Sequence, residues 1–382
     1  MKNCKTWKKR IFSVLLSLVM VATLLPLGLV TEAEAAMSGY TAWTNSTSLP
    51  SSGTYYLNTD VTMKSEVVTL NGNLSLDLNG HTITFTGNNS NSAFIINGNY
   101  GFDLYDSVGG GKIEEAANAY DYHRAVWVDS TNAYFYMHGG TISGFHKDTQ
   151  GSGVCVNRGK MIMDDGEICN NTTTKDGGAV MVESAGTFEM KGGKIHDNTC
   201  GWTGGGIASG GGTVNISGGE IYNNKSTSTS TDNYGGGGIG GWDSAKFTVS
   251  GTARIYNNTA NVGGAVVLIR NASLTMNGGE IGSNTATKSY SGVGGFTSGN
   301  NSGYSITYTS GRAYTGNGYI KARLRHEQQM QDVNASQRSS AIKVIWIRLK
   351  SLFASKRLSG FSHDLKANIE TIKLITDLDI QE

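Results

Sequence analysis

Residues 177–198 read GGAVMVESAGTFEMKGGKIHDN, and this stretch predicts the fold of most of the chain. A Gly-Gly step leads into an apolar alternation at 180–182, and a second alternation follows at 188–190. Another Gly-Gly step leads into Ile195 and Asn198. Alternation of apolar residues over such short runs is typical of β-strands. The stretch therefore predicts three short strands separated by glycine-rich corners.

The same pattern recurs along the chain. Its most regular landmark is an isoleucine, found at positions 83, 113, 142, 168, 195, 221, 255 and 281. Separations of 26 to 34 residues between these positions are typical of a stacked repeat with loops inserted in selected coils. Parallel strands need a crossover, which the other sides of a coil supply, and such crossovers are right-handed. We therefore predict an all-β chain, a single-stranded right-handed parallel β-helix of about nine coils with three short strands per coil.

Two side-chain ladders are expected from this repeat. The second strand of each coil supplies inward pairs: Leu76/Leu78, Phe102/Leu104, Phe135/Met137, Met161/Met163, Phe188/Met190, Val214/Ile216, Phe247/Val249, Leu274/Met276 and Tyr304/Ile306. Three places after the isoleucine, five successive coils carry Asn171, Asn198, Asn224, Asn258 and Asn284. Because amides repeat at the spacing of stacked strands, we interpret these asparagines as a structural ladder at a corner rather than as catalytic groups.

Charges alternate along the outer surface of the same coils. The residue before each isoleucine is Glu167, Lys194, Glu220, Arg254 and Glu280 in turn. Opposite charges on adjacent strands attract. We therefore assign these acids to surface pairing and not to catalysis.

The ends of the chain differ from the repeat. Residues 1–35 combine a basic head, an apolar run from Ile11 to Val30 and small residues before Ala35, which predicts a signal peptide cleaved after Ala35. A single membrane anchor is the alternative. We expect a secreted or cell-surface protein with no transmembrane span after cleavage. Residues 36–70 depart from the repeat and are interpreted as an N-terminal cap.

The repeats extend over 71–317, and the basic tail 318–382 has a different composition. Within it, Ile342 to Leu358 has the pattern of an amphipathic helix, which suits a membrane surface or a partner. The alternative is a frameshift or insertion that replaced the native end of the repeats.

Composition narrows the possible partners. The net charge of +1 gives no electrostatic footprint for nucleic acid. Three cysteines follow the signal peptide, Cys155, Cys169 and Cys200, so one disulfide at most can form within the chain. His123, His138, His146 and His196 fall at different offsets in their coils, and we expect no metal site. Gly235 to Gly240 matches a dinucleotide motif only formally because no βαβ unit surrounds it, so we expect no cofactor.

The chain resembles known bacterial proteins over roughly residues 50–315. Gly53-Thr54-Tyr55-Tyr56-Leu57 and the segment 76–83 resemble the first coils of right-handed β-helix surface proteins of the broad pectate-lyase-like superfamily. The Gly-Gly-Ala-Val and Ile-x-x-Asn pairs are similar to repeats of chlamydial polymorphic outer-membrane proteins. The resemblance implies the fold but no single activity, because this fold carries lyases, hydrolases, adhesins and stalks.

Enzyme motifs of that superfamily are incomplete in this chain. Val126-Trp127-Val128-Asp129 resembles part of a pectate-lyase motif, but Ser130 stands where that motif has histidine. Asn58-Thr59-Asp60 and Asp164-Asp165 imitate polygalacturonase motifs at the wrong spacing. The nearest catalytic candidates are Asp129, Arg158 and Glu183, with the two acids two coils apart and roughly 10 Å from each other.

A sugar-binding surface is the leading prediction. The outward positions of the first strand are Trp127, Cys155, Met181, Ala208, Gly240 and Val267, a partly apolar stripe. The predicted ligand-binding residues are Trp127, Asp129, Glu183, Trp202, Trp242 and Asp243. Aromatic rings beside acids suit the faces and hydroxyls of sugars. We expect a non-catalytic adhesion or carbohydrate-binding module for extracellular glycans or for cell-wall or host surfaces. The alternatives are a polysaccharide lyase or glycoside hydrolase acting on extracellular polysaccharide, and a purely structural stalk.

Overall fold

The computed structural model describes the repeat region and both of its ends. The described residues are 37–86, 91–116, 124–230, 234–289, 293–295, 304–315 and 318–320. They contain strands, turns and bends but no helix. Within this part of the chain there is accordingly no helical segment long and apolar enough to cross a bilayer. The signal peptide and the helix expected at 342–358 lie outside the described residues.

The strands follow one another in short, regularly spaced segments. They are β1 (Thr41–Trp43), β2 (Gly53–Leu57), β3 (Val61–Lys64), β4 (Val68–Thr69), β5 (Leu74–Asp77), β6 (Thr82–Thr86), β7 (Phe94–Ile96), β8 (Gly101–Tyr105), β9 (Lys112–Glu115), β10 (Val126–Met137), β11 (Thr141–Ser143), β12 (His146–Lys147), β13 (Val154–Met163), β14 (Glu167–Cys169), β15 (Thr172–Thr173), β16 (Val180–Met190), β17 (Lys194–His196), β18 (Thr199–Cys200), β19 (Ile207–Gly210), β20 (Thr213–Ile216), β21 (Glu220–Tyr222), β22 (Lys225–Ser226), β23 (Ile239–Trp242), β24 (Lys246–Val249), β25 (Arg254–Tyr256), β26 (Thr259–Val262), β27 (Val266–Leu268), β28 (Ala272–Gly282), β29 (Thr285–Ser289), β30 (Val293–Gly295), β31 (Tyr304–Thr315) and β32 (Gly318–Ile320).

Corresponding strands of successive coils pair in parallel, which confirms the predicted parallel β-helix. The first strands stack from β4 through β7 to β30, and the third strands from β3 through β6 to the end of β28. In the coils of β10, β13 and β16, the first and second strands run on as one long strand. Over the described residues the first strands make nine rungs.

The isoleucine landmark sets the register of the third strands. Ile83, Ile113 and Ile142 pair directly on adjacent rungs, and the column continues without a slip to Ile281. Each of these isoleucines is fully buried. The period of 26 to 34 residues is therefore one coil, because insertions are absorbed at corners and leave the ladder unchanged.

The second-strand core agrees with the predicted pairs except at the first rung. Phe102 and Leu104 pair with Leu74 and Leu76, so the predicted rung Leu76/Leu78 was wrong by two residues. Leu78 is also buried, but it lies after the end of β5, where the chain turns at the corner that follows. From Phe102 onward the predicted pairs are in register through Leu274/Met276. Aromatic rings contact one another along this core: the Phe102 and Phe135 rings lie tilted at 35°, with 5.2 Å between their centroids.

The coils contain a fourth extended segment in addition to the three predicted. β12, β15, β18, β22, β26 and β29 form a separate parallel sheet of six strands. Most of these segments are only two residues long, for example Thr172–Thr173, which is too short to show an alternation in the sequence. β15, β18, β22 and β26 each follow a ladder asparagine and precede the Gly-Gly step of the next coil.

Residues assigned to the cap already follow the geometry of the coil. β2 pairs in parallel with β5, and β1 pairs in parallel with β2. The Trp43 ring contacts Tyr55 edge-to-face at 5.1 Å, and its indole N–H donates to the Ser48 carbonyl. At the other end, β32 at Gly318–Ile320 lies just beyond the predicted boundary at 317.

The chain forms two units. One comprises Met1–Thr307 with Gly311–Tyr319 and contains the coils; the other comprises Tyr308–Ser310 with Ile320–Glu382. In the second unit only the strand residues Tyr308–Ser310 and Ile320 belong to the described part.

Candidate functional site

The predicted outward stripe of the first strands is present as a column but is covered. Trp127, Cys155 and Met181 lie on adjacent rungs, followed by Ala208 and Gly240. Met181, Ala208 and Val267 are completely buried, and Cys155 is 5% exposed. The expectation of an open apolar stripe was therefore wrong.

Corner segments cover this column because glycines allow them to turn sharply and lie close to it. Gly151 and Gly204 have φ of +68° and +72°, in the left-handed region that glycine adopts without strain. A Cβ added to Gly240 would lie 2.4 Å from the Thr203 side chain, and one added to Gly151 would lie 2.7 Å from the Met181 Cβ. Trp127 and Trp242, both partly buried, pack against the two ends of the covered strip.

A pocket remains open beside Trp242, between the corners and the ends of the first strands. Its volume is about 240 Å³, and it is lined by Gln150, Asp176, Trp202, Thr203, Tyr234, Trp242, Ile269 and Arg270. The rings of Trp202 and Tyr234 stack with 5.4 Å between centroids and 20° between planes. Trp202 is 39% exposed, although most large apolar side chains of the described residues are covered. Two of the predicted ligand-binding residues, Trp202 and Trp242, thus share one pocket.

Asp176 is the acidic group of this pocket. Its side chain is only 4% exposed, and it accepts hydrogen bonds from the Thr203 backbone N–H at 3.0 Å and the Gln150 amide at 3.3 Å. Burial raises the pKa of Asp176, while these hydrogen bonds oppose the shift. A buried carboxyl with a raised pKa is common at functional sites.

The Glu183 and Trp242 side chains lie on either side of a glycine, Gly210, on successive rungs. Glu183, Gly210 and Trp242 occupy the same position on three successive rungs. A Cβ on Gly210 would lie 3.1 Å from Glu183 Oε2 and 3.2 Å from Trp242 Cζ2, so a larger residue there would have to displace one of these side chains. Burial raises the pKa of Glu183, the charge of Asp176 raises it further, and Arg124 lowers it.

The predicted acids do not form one catalytic pair. Asp129 accepts a hydrogen bond from the Asn157 amide at 2.5 Å, and Arg158 Nε lies 3.8 Å from its carboxylate. Asp129 and Arg158 therefore contact each other, whereas the charged groups that act on Glu183 are Asp176 and Arg124. None of the three predicted catalytic candidates lines the pocket.

Trp127 and Asp243 occupy the borders of this face. The Arg124 guanidinium lies 5.6 Å from the ring centre of Trp127, which does not line the pocket. Asp243 is exposed and pairs with the pocket residue Arg270, whose Nε lies 2.7 Å from its carboxylate. Asp243 thus orients a guanidinium at the edge of the pocket.

The asparagine column lies at a different corner. Asn198 Oδ1 accepts hydrogen bonds from the backbone and side chain of Asn171, and Asn224 does the same for Asn198. The chain of bonds continues through Asn258 to Asn284. Asn171, Asn198, Asn224 and Asn258 are fully buried, so these side chains serve the coil and not a ligand.

The sequence analysis missed several pocket residues. Gln150, Asp176 and Thr203 each precede a glycine of left-handed conformation, at Gly151, Gly177 and Gly204. Polar residues at this one offset in three successive coils were a signal that the repeat contained. Tyr234 and Arg270 lie in an insertion and a corner and do not occupy a repeated offset, so the sequence gives no comparable signal for them.

A cluster of metal-ligand type was also missed. Glu167, Cys169 and His196 bring their ligand atoms within 4.8 Å of one another. The signal was present here too, since Cys169 and His196 each follow the landmark isoleucine of their coils by one residue. Cys155, Cys169 and Cys200 are unpaired, and burial raises the pKa of Cys155 to about 11.

Comparison with known proteins gives no relative: no family model, curated protein or solved structure matches the chain.

Proposed function

We propose that the chain is an exported, non-catalytic β-helix protein that binds extracellular, cell-wall or host glycans through the pocket at Trp202 and Trp242. The observation that carries this proposal is the stacked pair of Trp202 and Tyr234 beside Trp242 in one pocket. Aromatic rings present flat apolar surface to the C–H faces of sugars. The β-helix and its repeats also support membership of the pectate-lyase-like superfamily.

The polar lining of the pocket suits sugar hydroxyls. Asp176 supplies acceptor oxygens, Gln150 supplies both donors and acceptors, and Arg270 supplies guanidinium donors. Half of the lining residues are polar and half are aromatic or aliphatic, which suits a ligand that has both hydroxyl groups and C–H faces. The Thr203 backbone N–H donates to Asp176, and Asp243 pairs with Arg270, so both charged groups of the pocket have partners.

The size of the pocket limits the ligand. A volume of about 240 Å³ is below the range of roughly 300–1,000 Å³ that is usual for drug-sized ligands. We therefore propose that one sugar ring of a glycan enters the pocket and that the neighbouring units remain at the surface.

The test is a glycan array with the purified chain, followed by calorimetry with the best ligand. We expect Trp202→Ala and Trp242→Ala each to weaken binding at least tenfold with an unchanged far-ultraviolet circular dichroism spectrum. Trp127→Ala is the matched control, because Trp127 lies on the same face but outside the pocket, and it should bind as the wild type does. Absence of binding to every glycan would contradict the proposal and favour the structural stalk. Loss of binding in the control alone would place the ligand elsewhere.

A glycoside hydrolase or lyase is the second candidate, and one observation favours it. Burial raises the pKa of Asp176 and of Glu183, and the charge of Asp176 raises the pKa of Glu183 further. Glycoside hydrolases use a pair of carboxyl groups, one of which is protonated at the working pH. Release of reducing sugar from plant, fungal or mucin polysaccharides, abolished by Glu183→Gln, would establish this activity instead of simple binding.

A further inference from the structure

Three side chains with metal-binding atoms meet on the outer surface of the third strands. Glu167 and Cys169 are two residues apart on β14, so both point outward on either side of the buried Ile168. His196 lies on β17 directly beside Cys169 in the parallel register. The carboxylate, thiol and imidazole ligand atoms are all within 4.8 Å of one another.

The His196 imidazole is oriented for a ligand at its Nε2. Nδ1 lies 2.7 Å from the Asp197 carboxylate, which fixes the proton on Nδ1 and leaves the lone pair on Nε2. The ring stacks on Tyr222 with 4.7 Å between centroids and 6° between planes. Nε2 is closed to solvent and has no hydrogen-bond partner among the described residues, and it faces Glu167 Oε2 at 3.6 Å.

We propose that Cys169 Sγ, His196 Nε2 and Glu167 Oε2 bind one zinc-like divalent cation, with Asp197 as the support of the histidine. Thiolate, imidazole and carboxylate together favour zinc and its neighbours over calcium or magnesium, which prefer sets of oxygen ligands. An aspartate on the second histidine nitrogen is the usual partner of a zinc-bound imidazole.

The geometry needs only a small closure around the ion. Zinc lies about 2.3 Å from sulfur and about 2.0–2.1 Å from nitrogen, so the ligand atoms must approach one another by roughly 1 Å. Side-chain rotation supplies this, since Lys194 holds only Glu167 Oε1, at 2.7 Å, and leaves Oε2 directed at the cluster. On binding, the Cys169 thiol proton leaves to solvent and a sulfur–metal bond forms. Three protein ligands leave one position for water.

This site is independent of the sugar pocket. It lies on the third strands, whereas the pocket lies between the corners and the ends of the first strands. The outcome of the glycan-binding test therefore does not determine the outcome of the metal-binding test, and the reverse is also true.

The test uses cobalt(II) as the probe, added to the full chain after treatment with a chelator, and zinc as the competitor. A cobalt–thiolate bond gives a charge-transfer absorption in the near ultraviolet, which we expect at one cobalt per chain and which zinc should abolish. Cys169→Ser should remove the absorption, whereas Cys155→Ser and Cys200→Ser, which change buried thiols elsewhere, should retain it. No absorption in the wild type, or its persistence in Cys169→Ser, would overturn the proposal.

Two further variants keep the test valid if Cys169→Ser does not fold. His196→Gln removes the nitrogen ligand and should weaken cobalt binding at least tenfold. Residue 197 has a φ of +54°, which asparagine tolerates as aspartate does, so Asp197→Asn keeps the local backbone. The variant removes the carboxylate that supports His196 and should weaken cobalt binding by about 10- to 100-fold. Affinities equal to that of the wild type in both variants would overturn the site.

Discussion

The Asn198 side chain bonds to its own coil and to the coil on either side. Its amide nitrogen donates to the carbonyls of Ile168 and His196, at 2.9 and 2.8 Å, and to Asn224 Oδ1. Its oxygen accepts from the backbone and side-chain nitrogens of Asn171. Both ends of the amide are therefore needed, and only asparagine among residues of this size offers a donor and an acceptor in this arrangement.

We expect Asn198→Asp to be more destabilising than Asn198→Ala. Alanine leaves buried backbone groups without partners, at a cost of roughly 3 kcal/mol or more, because each such group costs about 1–3 kcal/mol. Aspartate adds a buried charge that faces the Ile168 and His196 carbonyl oxygens. Urea denaturation at pH 7 measures both.

Asn223→Asp is the matched control for this prediction. Asn223 is the exposed residue just before the ladder asparagine Asn224, with φ of +54°, a conformation that aspartate also tolerates. The free energy of unfolding of Asn223→Asp should stay within about 0.5 kcal/mol of the wild-type value. Equal effects at positions 198 and 223 would contradict the structural role of the column.

The stability contributed by Asp176 should depend on pH. Its pKa in the folded chain is raised above the ordinary value of 3.8 by burial, so the folded state binds this proton more tightly than the unfolded state. The contribution is complete below about pH 3.8 and is lost as the pH rises through the folded pKa. We expect Asp176→Asn to raise the thermal midpoint relative to the wild type at pH 7.5, and the gain to disappear near pH 4. A gain independent of pH would show that the carboxyl is not titrating as described.

Single residues differ in how well the sequence predicts them. The ladder asparagines could be predicted because their role repeats at one offset in five coils. The position of Asp176 before a glycine marks it as a repeated corner residue, but its burial in a pocket could not be predicted, because that depends on how the corners lie against a neighbouring coil.

At the scale of elements, register is the most predictable property. If a third strand slipped by one residue, its inward isoleucine would turn out to solvent. The buried isoleucines therefore determine the pairing register of the third strands. The first rung was misplaced because Leu74, Leu76 and Leu78 all fit the same alternation, and only the pairing with Phe102 and Leu104 distinguishes them. The fourth segment of each coil was not predicted, because most of these segments have two residues and are too short to show an alternation of apolar and polar residues.

The charge column of the third strands gives a prediction at this scale. Lys194 lies 2.7 Å from Glu167, and Arg254 lies 2.8 Å from Glu220 and 3.9 Å from Glu280. We expect Lys194→Glu to lower the thermal midpoint by roughly 2–4 °C at low salt, because an attractive pair becomes three adjacent acids, and exposed pairs are worth under about 1 kcal/mol.

Salt provides the control for the charge reversal. Because these groups are exposed, the effect should shrink at 1 M salt, where the screening length is about 3 Å. Lys194→Gln should fall between the wild type and Lys194→Glu. An unchanged midpoint at low salt would contradict the ladder of charges.

At the scale of the whole molecule, the signal peptide predicted at residues 1–35 is a prediction that N-terminal sequencing can test. We expect the chain expressed with its leader in a bacterial secretion host to begin at Ala36, as read by N-terminal sequencing. Ala33→Leu with Ala35→Leu should block cleavage, because signal peptidase requires small residues at these positions. An intact Met1 terminus in the membrane fraction of the wild type would favour the anchor instead.

The constant register of the coils also has a kinetic consequence. From Ile83 onward, strands that pair are separated by one coil of 26 to 34 residues, as the isoleucines show. The entropy lost in closing a loop depends on its length, so each coil added to a folded neighbour costs the same closure. Folding is then a propagation that can begin at any adjacent pair of coils and advance one coil at a time. The folding time should therefore grow in proportion to the number of coils. In folds that pair the two ends of the chain, by contrast, the folding time rises steeply with chain length.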